Sequence, residues 1–336
     1  IGFFSFQDLQ LFTVNPQNLL LLNQYKVDVT IVIYYIQLVY QQDINFSPLG
    51  LPSLGQCFAP GRVFTQLTSQ ESLTVLGNVN RVCTDLDPQI AAALASNFGE
   101  KIDAKVISAL GNESASLSIS QIKSLKPSDL VDSLNILSNV IGWRIGQAKA
   151  IVLSLLSSGF LQINSSASLL NLGSLIPGVP STVFSSISGS DLVTVSRNPS
   201  VLFYILSAPQ IVQLTFVRQI IYLNTNSLQI IENVPDNLAT EIPGVYLLQF
   251  PNDSSTVIKL NRKKWKPQQV ALFFDIIAAN SETAELGGPN NLSSSVLQGF
   301  TCTTIRSLGK RQIKNLIKAC RRKGTNKVPL VETQVR

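Results

Sequence analysis

The sequence predicts an all-α fold built from stacked short helical hairpins. Three observations predict it. Apolar residues recur at helical spacing in many short runs; most of those runs begin at a recognisable cap and stop at glycine; and some segments echo one another. Helices of about eight to fifteen residues joined by loops of about three to eight suit a helical stack better than a long-helix bundle.

The elements follow in order. Thr68-Ser-Gln-Glu71 is a capping box, and the run it opens is expected to end at Gly77. Asp87-Pro88 places a cap and a first-turn proline before QIAAALASNF, which stops at Gly99; KIDAKVISAL then closes at Gly111. Lys126-Pro127-Ser128 opens a helix expected to carry Leu130, Leu134, Leu137 and Ile141 on one face. From Trp143 to Ser158 another is expected, with Ala148, Ile151, Val152 and Leu155 inward and Gly159 as its stop. Further helices are expected over Ser181–Ser188, Pro209–Leu223, Pro267–Ala279, Ser294–Thr304 and Lys310–Lys323.

Two echoes support repetition. Trp143-Arg-Ile-Gly-Gln147-Ala148 is matched by Trp265-Lys-Pro-Gln-Gln269-Val270, and Ile176-Pro-Gly-Val179 by Ile242-Pro-Gly-Val245. Their intervals, 122 and 66 residues, set no strict period, so they read as diverged repeats. Each Trp reads as an anchor at the start of its helix. Residues 1–60 differ: they are rich in Gln and aromatics and end in FSPLGLPSLGQCFAPG. They are expected to form a less regular segment, with the helical repeat domain over 61–336. VDVTIVIYYIQLVY (Val27–Tyr40) is too short for a membrane span and reads as a buried strand or helix.

Composition narrows the function. Apolar residues make up 45% and charged residues only 14%, against roughly 25% in ordinary soluble proteins; attached glycans would supply the solubility that charge does not. There is no Met and no His. The first implies a processed or trimmed chain. The second removes Ser-His-Asp and Cys-His relays and His-ligated zinc, and argues against an enzyme and against a cofactor or metal centre. Paired carboxylates such as Asp85 and Asp87 are the weakest candidates, because Asp87 is better explained as a helix cap. The net charge of +6 is uneven: from Lys259 onward fifteen Lys or Arg face four acids. That surplus raises the question of a polyanionic partner.

Four cysteines, Cys57, Cys83, Cys302 and Cys320, fall into two local pairs without metal-ribbon or redox spacing. Cys57–Cys83 and Cys302–Cys320 are the natural disulfides among three connectivities, the alternative being four free buried thiols in a cytosolic protein. Five N-glycosylation sequons begin at Asn45, Asn112, Asn164, Asn252 and Asn291. Together these predict a secreted or cell-surface glycoprotein.

WRIGQAKAIVLSLLSSGF (Trp143–Phe160), LGSLIPGVPS (Leu172–Ser181), KKWKPQQVALFF (Lys263–Phe274) and GFTCTTIRSLGKRQIKNLIKACR (Gly299–Arg321) resemble the mesothelin, stereocilin and otoancorin superfamily, especially mesothelin-like proteins of fishes. The resemblance runs from about Gln66 to the C-terminus. It implies a superhelix of armadillo-like repeats in an extracellular glycoprotein, associated with adhesion or matrices and often released from a precursor or tethered at an apical surface by a lipid anchor. It also implies that Cys302 and Cys320 pair, and it carries over no catalytic residue. This chain departs from the pattern in having no C-terminal hydrophobic anchor signal; it stops at KVPLVETQVR, which reads like the opening of another helix of a continuing precursor.

One segment, Phe300–Gly324, holds eight Lys or Arg and no acid. A continuous helix would hold Cys302 and Cys320 about 27 Å apart, whereas a disulfide needs less than about 7 Å, so a break at Leu308-Gly309 is expected. On the second helix Ile313, Leu316, Ile317 and Cys320 form the expected inward stripe. Arg311, Lys314, Lys318, Arg321 and Arg322 form the basic patch, read either as a solvated face or as a surface for anionic glycans, mucins or acidic headgroups. Few aromatics or groove-reading amides accompany it, which argues against nucleic acid. The expected function is a non-enzymatic structural, adhesion or matrix glycoprotein that binds extracellular glycans, mucins or matrix proteins and self-associates into filaments or arrays. The alternative is a carrier of a lipid or other apolar ligand in a groove between helices.

Overall fold

The computed structural model describes residues 28–224, 226–251, 253–278, 292–330 and 332–335. Among them every regular element is helical and no strand occurs. The chain forms two compact units, residues 1–162 with 171–178 and residues 163–170 with 179–336.

In the first unit the segment expected to be irregular carries a full helix, α1 (Val29–Gln42), capped by Asp28, whose Oδ1 accepts the Thr30 N–H at 2.8 Å. Its β-branched run favours a strand, but Val32, Tyr35, Ile36, Val39 and Tyr40 fall on one helical stripe and are all buried. Tertiary burial overrides propensity here. α2 (Ser69–Val82) opens at the expected Thr68–Glu71 capping box and runs past Gly77, because the buried stripe Ser72, Val75, Leu76 and Val79 continues through it. α3 (Pro88–Ser96) starts at the Asp87 cap, and the chain turns at Gly99 with φ +54°.

The helix expected from Lys126 is broken. It forms two short pieces, Pro127–Asp132 and Leu134–Leu137, around the buried Ser133. Leu130 and Leu137 are buried as expected, but Ile141 is 81% exposed. The cause is local: the Trp143 indole N–H donates to the Leu137 carbonyl at 2.9 Å, so the chain leaves the helix after Leu137 and turns at Gly142 with φ +95°. α4 (Ile145–Ser157) buries all four residues assigned inward, Ala148, Ile151, Val152 and Leu155.

In the second unit the helix Gln210–Leu223 lies where expected, whereas the Ser181–Ser188 helix stops at Phe184. Helices unread in the sequence cover Gly189–Ser196, Pro199–Ser207, Ser227–Asn233 and Ser254–Arg262, each capped by a Ser, Asn or Asp side chain. α5 (Pro267–Ala278) follows. The expected Ser294–Thr304 helix divides into Ser294–Leu297 and α6 (Cys302–Ser307). α7 (Lys310–Cys320) begins at Gly309.

One device recurs in both units: a glutamine at the third position of a helix. Its Oε1 accepts a backbone N–H at the helix entrance while its Nε2 donates to carbonyls of an earlier turn. In Gln147 the donor is Arg144 N at 2.9 Å, and Nε2 reaches Ala115 O at 2.8 Å and Leu117 O at 2.6 Å. Gln269 repeats this with Lys266 N at 3.0 Å, Ala239 O at 2.9 Å and Ile242 O at 2.8 Å. Gln121 does the same with Ser118 N, Ala95 O and Gly99 O. Gln312 reaches Ala278 O, and Gln334 reaches Gln298 O and Phe300 O. Helices this short leave much of their backbone unpaired at the ends, and a buried amide satisfies it while tying one helical layer to the next.

The tryptophan echo holds in detail. Trp265 Nε1 donates to Leu260 O at 2.9 Å, as Trp143 does to Leu137. The Ile-Pro-Gly-Val echo does not extend to packing. Gly178 lies against the backbone of α4 at Ala148, whereas Gly244 faces the Leu272 side chain of α5. The counterpart of Gly178 is Gly299, which lies against Val270, the residue after Gln269 as Ala148 follows Gln147.

Candidate functional site: a basic helix and a disulfide-flanked groove

Cys57 and Cys83 are joined, with S–S 2.00 Å and Cα–Cα 5.8 Å. Cys83 caps the C-terminal end of α2, and Cys57 follows the short helix Ser53–Gln56, so the bond ties these two elements. Replacing both cysteines by serine is expected to lower the stability of the first unit by about 3 kcal/mol, from the closed loop between them. Urea denaturation with and without reductant measures this; an unchanged midpoint would mean that the bond constrains nothing.

Cys302 and Cys320 are free thiols, which corrects the expected second disulfide. The chain breaks at Leu308-Gly309 as expected, but the flanking helices are unequal. α6 rises about 9 Å and α7 about 16 Å. Even folded back on each other with axes 8–10 Å apart, their far ends would stand about 11 Å apart, beyond bonding reach. Burial raises the pKa of the Cys320 thiol.

Beside Cys83 a groove of about 980 Å³ opens in the first unit, with Asn80, Asp85, Glu113, Asn139 and Arg144 among its lining residues and the exposed Ile141 at its wall. Asp87, the other carboxylate considered, is a helix cap that accepts Gln89 N at 2.8 Å. Asp85 instead faces Glu113. Partial burial, and then the Asp85 charge, raise the Glu113 pKa. Sequence reading missed Glu113, which lies inside the Asn112 sequon but in no acid–base motif. A raised carboxyl pKa favours the folded state most at low pH, and that advantage is lost as pH rises from the ordinary glutamate range through the raised value. Glu113→Gln is therefore expected to melt above the wild type at pH 7, with the difference shrinking as pH falls through the carboxylate range. A pH-independent difference between the two melting curves would overturn this.

Three sequon asparagines, Asn45, Asn112 and Asn164, are exposed; Asn45 lies in the turn after α1, and Asn112 lies in the groove lining. Asn252 and Asn291 lie outside the described residues.

Two groups stand out in the C-terminal charge surplus, with Arg262, Lys264, Arg306, Lys323 and Lys327 exposed outside both. Lys259, Lys263 and Lys266 are ion-paired with Glu232, Asp236 and Glu241. Lys263 is almost fully buried, its Nζ donating to Val234 O at 2.6 Å and Asp236 Oδ1 at 3.0 Å, and burial lowers its pKa. This part is internal strapping.

The other part is α7. Arg311, Lys314, Lys318 and Arg321 are exposed, joined by Lys310, which the sequence reading left out of the patch. Arg322 is half-buried and donates from Nη1 to Leu292 O at 2.9 Å, so it also anchors the helix end. Leu316 is buried as expected, together with Ala319 rather than Ile317, which is 49% exposed. At 100° per residue, Lys310, Lys314, Ile317 and Arg321 form one ridge, and Arg311, Lys318 and Arg322 lie on the next. No acidic residue occurs in the sequence between Glu285 and Glu332.

Among the described residues these features define a helical, disulfide-bonded protein with repeated glutamine straps and a basic helix. No family model, no curated protein and no solved structure matches the chain.

Proposed function

We propose that this chain is a non-enzymatic secreted or cell-surface glycoprotein with a structural, adhesion or matrix role. Its helical layers would form a superhelix of the armadillo-like kind, as the resemblance to the mesothelin, stereocilin and otoancorin superfamily implies. The observation that carries the reading is the exposed cationic face of α7, in a stretch of sequence with no acid between Glu285 and Glu332. The Cys57–Cys83 bond and the exposed Asn45, Asn112 and Asn164 support an oxidising, glycosylating route. Among the described residues no helix is long and apolar enough to cross a membrane. The groove beside Cys83 gives the carrier reading little support, since it is open and carries Asp85, Glu113 and Arg144.

The test is retention of the intact, secreted protein on matrix-bearing cell layers at low salt, paired with a non-reducing peptide map for glycans and the Cys57–Cys83 link. Salt-sensitive retention of a glycosylated chain supports the proposal. A bare chain, or one that no cell layer retains at low salt, sinks it.

A further inference from the structure

We infer that α7 binds a linear sulfated polysaccharide along its two cationic ridges. This deepens the reading just given and rests on it, naming the class of polyanion that the helix takes.

The argument begins with shape. Lys310, Arg311, Lys314, Lys318 and Arg321 are all exposed and lie on adjacent ridges of one regular helix. They span eleven helical positions and Arg321, about 16 Å at 1.5 Å per residue. The result is a rigid line of cations. A stiff chain with anions at regular intervals matches such a line without the ordering cost that a disordered acidic peptide pays on binding. Arg311 and Arg321 present planar guanidinium groups suited to oxyanions with three terminal oxygens, and the lysines add point charges.

A bilayer is the main competitor, and the burial pattern disfavours it. A helix that lies in a lipid interface inserts its apolar face below the headgroups. In α7 that face is committed to the protein: Leu316 is 4% exposed and Ala319 is 0% exposed. Ile317 is the one large aliphatic side chain exposed among the cations of α7, a single residue within the ridge of Lys310, Lys314 and Arg321 and too little to insert. Nucleic acid is disfavoured in turn, because α7 carries no aromatic side chain on which a base would stack.

The experiment measures binding of the intact glycosylated protein to four probes: a heparin fragment, the same fragment desulfated, polyglutamate, and phosphatidylserine–phosphatidylcholine vesicles. Each is repeated with Lys314→Glu/Lys318→Glu and with a charge-matched control in the first unit, Lys101→Glu/Lys123→Glu, both positions being exposed. The inference expects the heparin fragment to bind at least about tenfold tighter than the other three probes. It expects the α7 pair to lose about tenfold or more while the control loses little, with the affinity falling as salt rises. Helical circular dichroism of both variants guards against misfolding, and Lys314→Gln/Lys318→Gln, which removes charge without reversing it, is expected to show an intermediate loss. Equal binding of vesicles or polyglutamate, or equal losses in the control, overturns the inference while leaving a polyanion-binding protein in place. Binding of none of the four overturns both.

Discussion

Gln147→Ala is expected to destabilise the first unit by about 4 kcal/mol. The side chain makes three hydrogen bonds, to Arg144 N, Ala115 O and Leu117 O, and is itself buried. Gln147, Ala115 and Leu117 line the floor of the groove beside Cys83, so truncation leaves two carbonyls without their donor, at about 1–3 kcal/mol each, and adds the cost of the vacated volume. Gln147→Met separates the two causes: it keeps most of the volume and loses only the polar contacts, so it is expected to recover the packing part alone. Urea denaturation of the three proteins gives the measurement. A loss below about 1 kcal/mol in the alanine variant would mean that water enters and replaces the amide, and that the glutamines are not what ties successive layers together. Gln269→Ala is expected to have the same effect on the second unit, because its three bonds are the same in kind and length.

Gly178→Ala is expected to cost at least about 4 kcal/mol, well above the usual penalty for an added methylene. A Cβ at Gly178 would stand 2.3 Å from the Ala148 carbonyl carbon and 2.4 Å from Lys149 N. Those are backbone atoms in the first turns of α4, so no rotamer change relieves the clash; the helix itself must shift, and the Gln147 bonds one residue earlier shift with it. Gly99→Ala provides the contrast. That glycine has φ +54° and open space around it, so its substitution meets only the left-handed penalty of about 1–2 kcal/mol. If thermal unfolding finds the two variants equally stable, close approach of the chain to α4 is not what selects glycine at position 178.

Much of this fold was legible before any coordinates. Caps at Thr68 and Asp87, and glycine stops at Gly99, Gly111 and Gly159, marked helix ends because they satisfy or terminate the backbone locally. The Trp-x-x-x-Gln echo marked two helix entrances that are built alike. Where reading failed, the deciding contact lay outside the local segment. The stretch near Ile31, read as a strand or a helix within a less regular segment, is a regular helix because of a one-sided burial that only the folded neighbours impose. The helix from Lys126 divides at the buried Ser133, and a tryptophan beyond its end takes the Leu137 carbonyl. Cys302 and Cys320 are free although the chain breaks between them, because cysteine spacing does not report how far apart the flanking helices hold their ends.

The candidate site divides in the same way. The cationic helix α7 was visible as a run of Lys and Arg without acids, since net charge is a property of composition. Which cations are spent inside the protein was not visible: Lys263 is buried against Asp236, and Arg322 pins Leu292, because each meets a partner many residues away. By itself, then, the sequence determined the helical class, several of the helix starts and the surplus charge near the C-terminus, all of which rest on local chemistry or on counts. Tertiary structure alone decided which carbonyls the glutamines reach, why Gly178 and Gly299 must be glycine, that Glu113 faces Asp85, and which face of α7 remains exposed. Each of these depends on a distance between residues far apart in the chain, and such distances are set only when the layers pack.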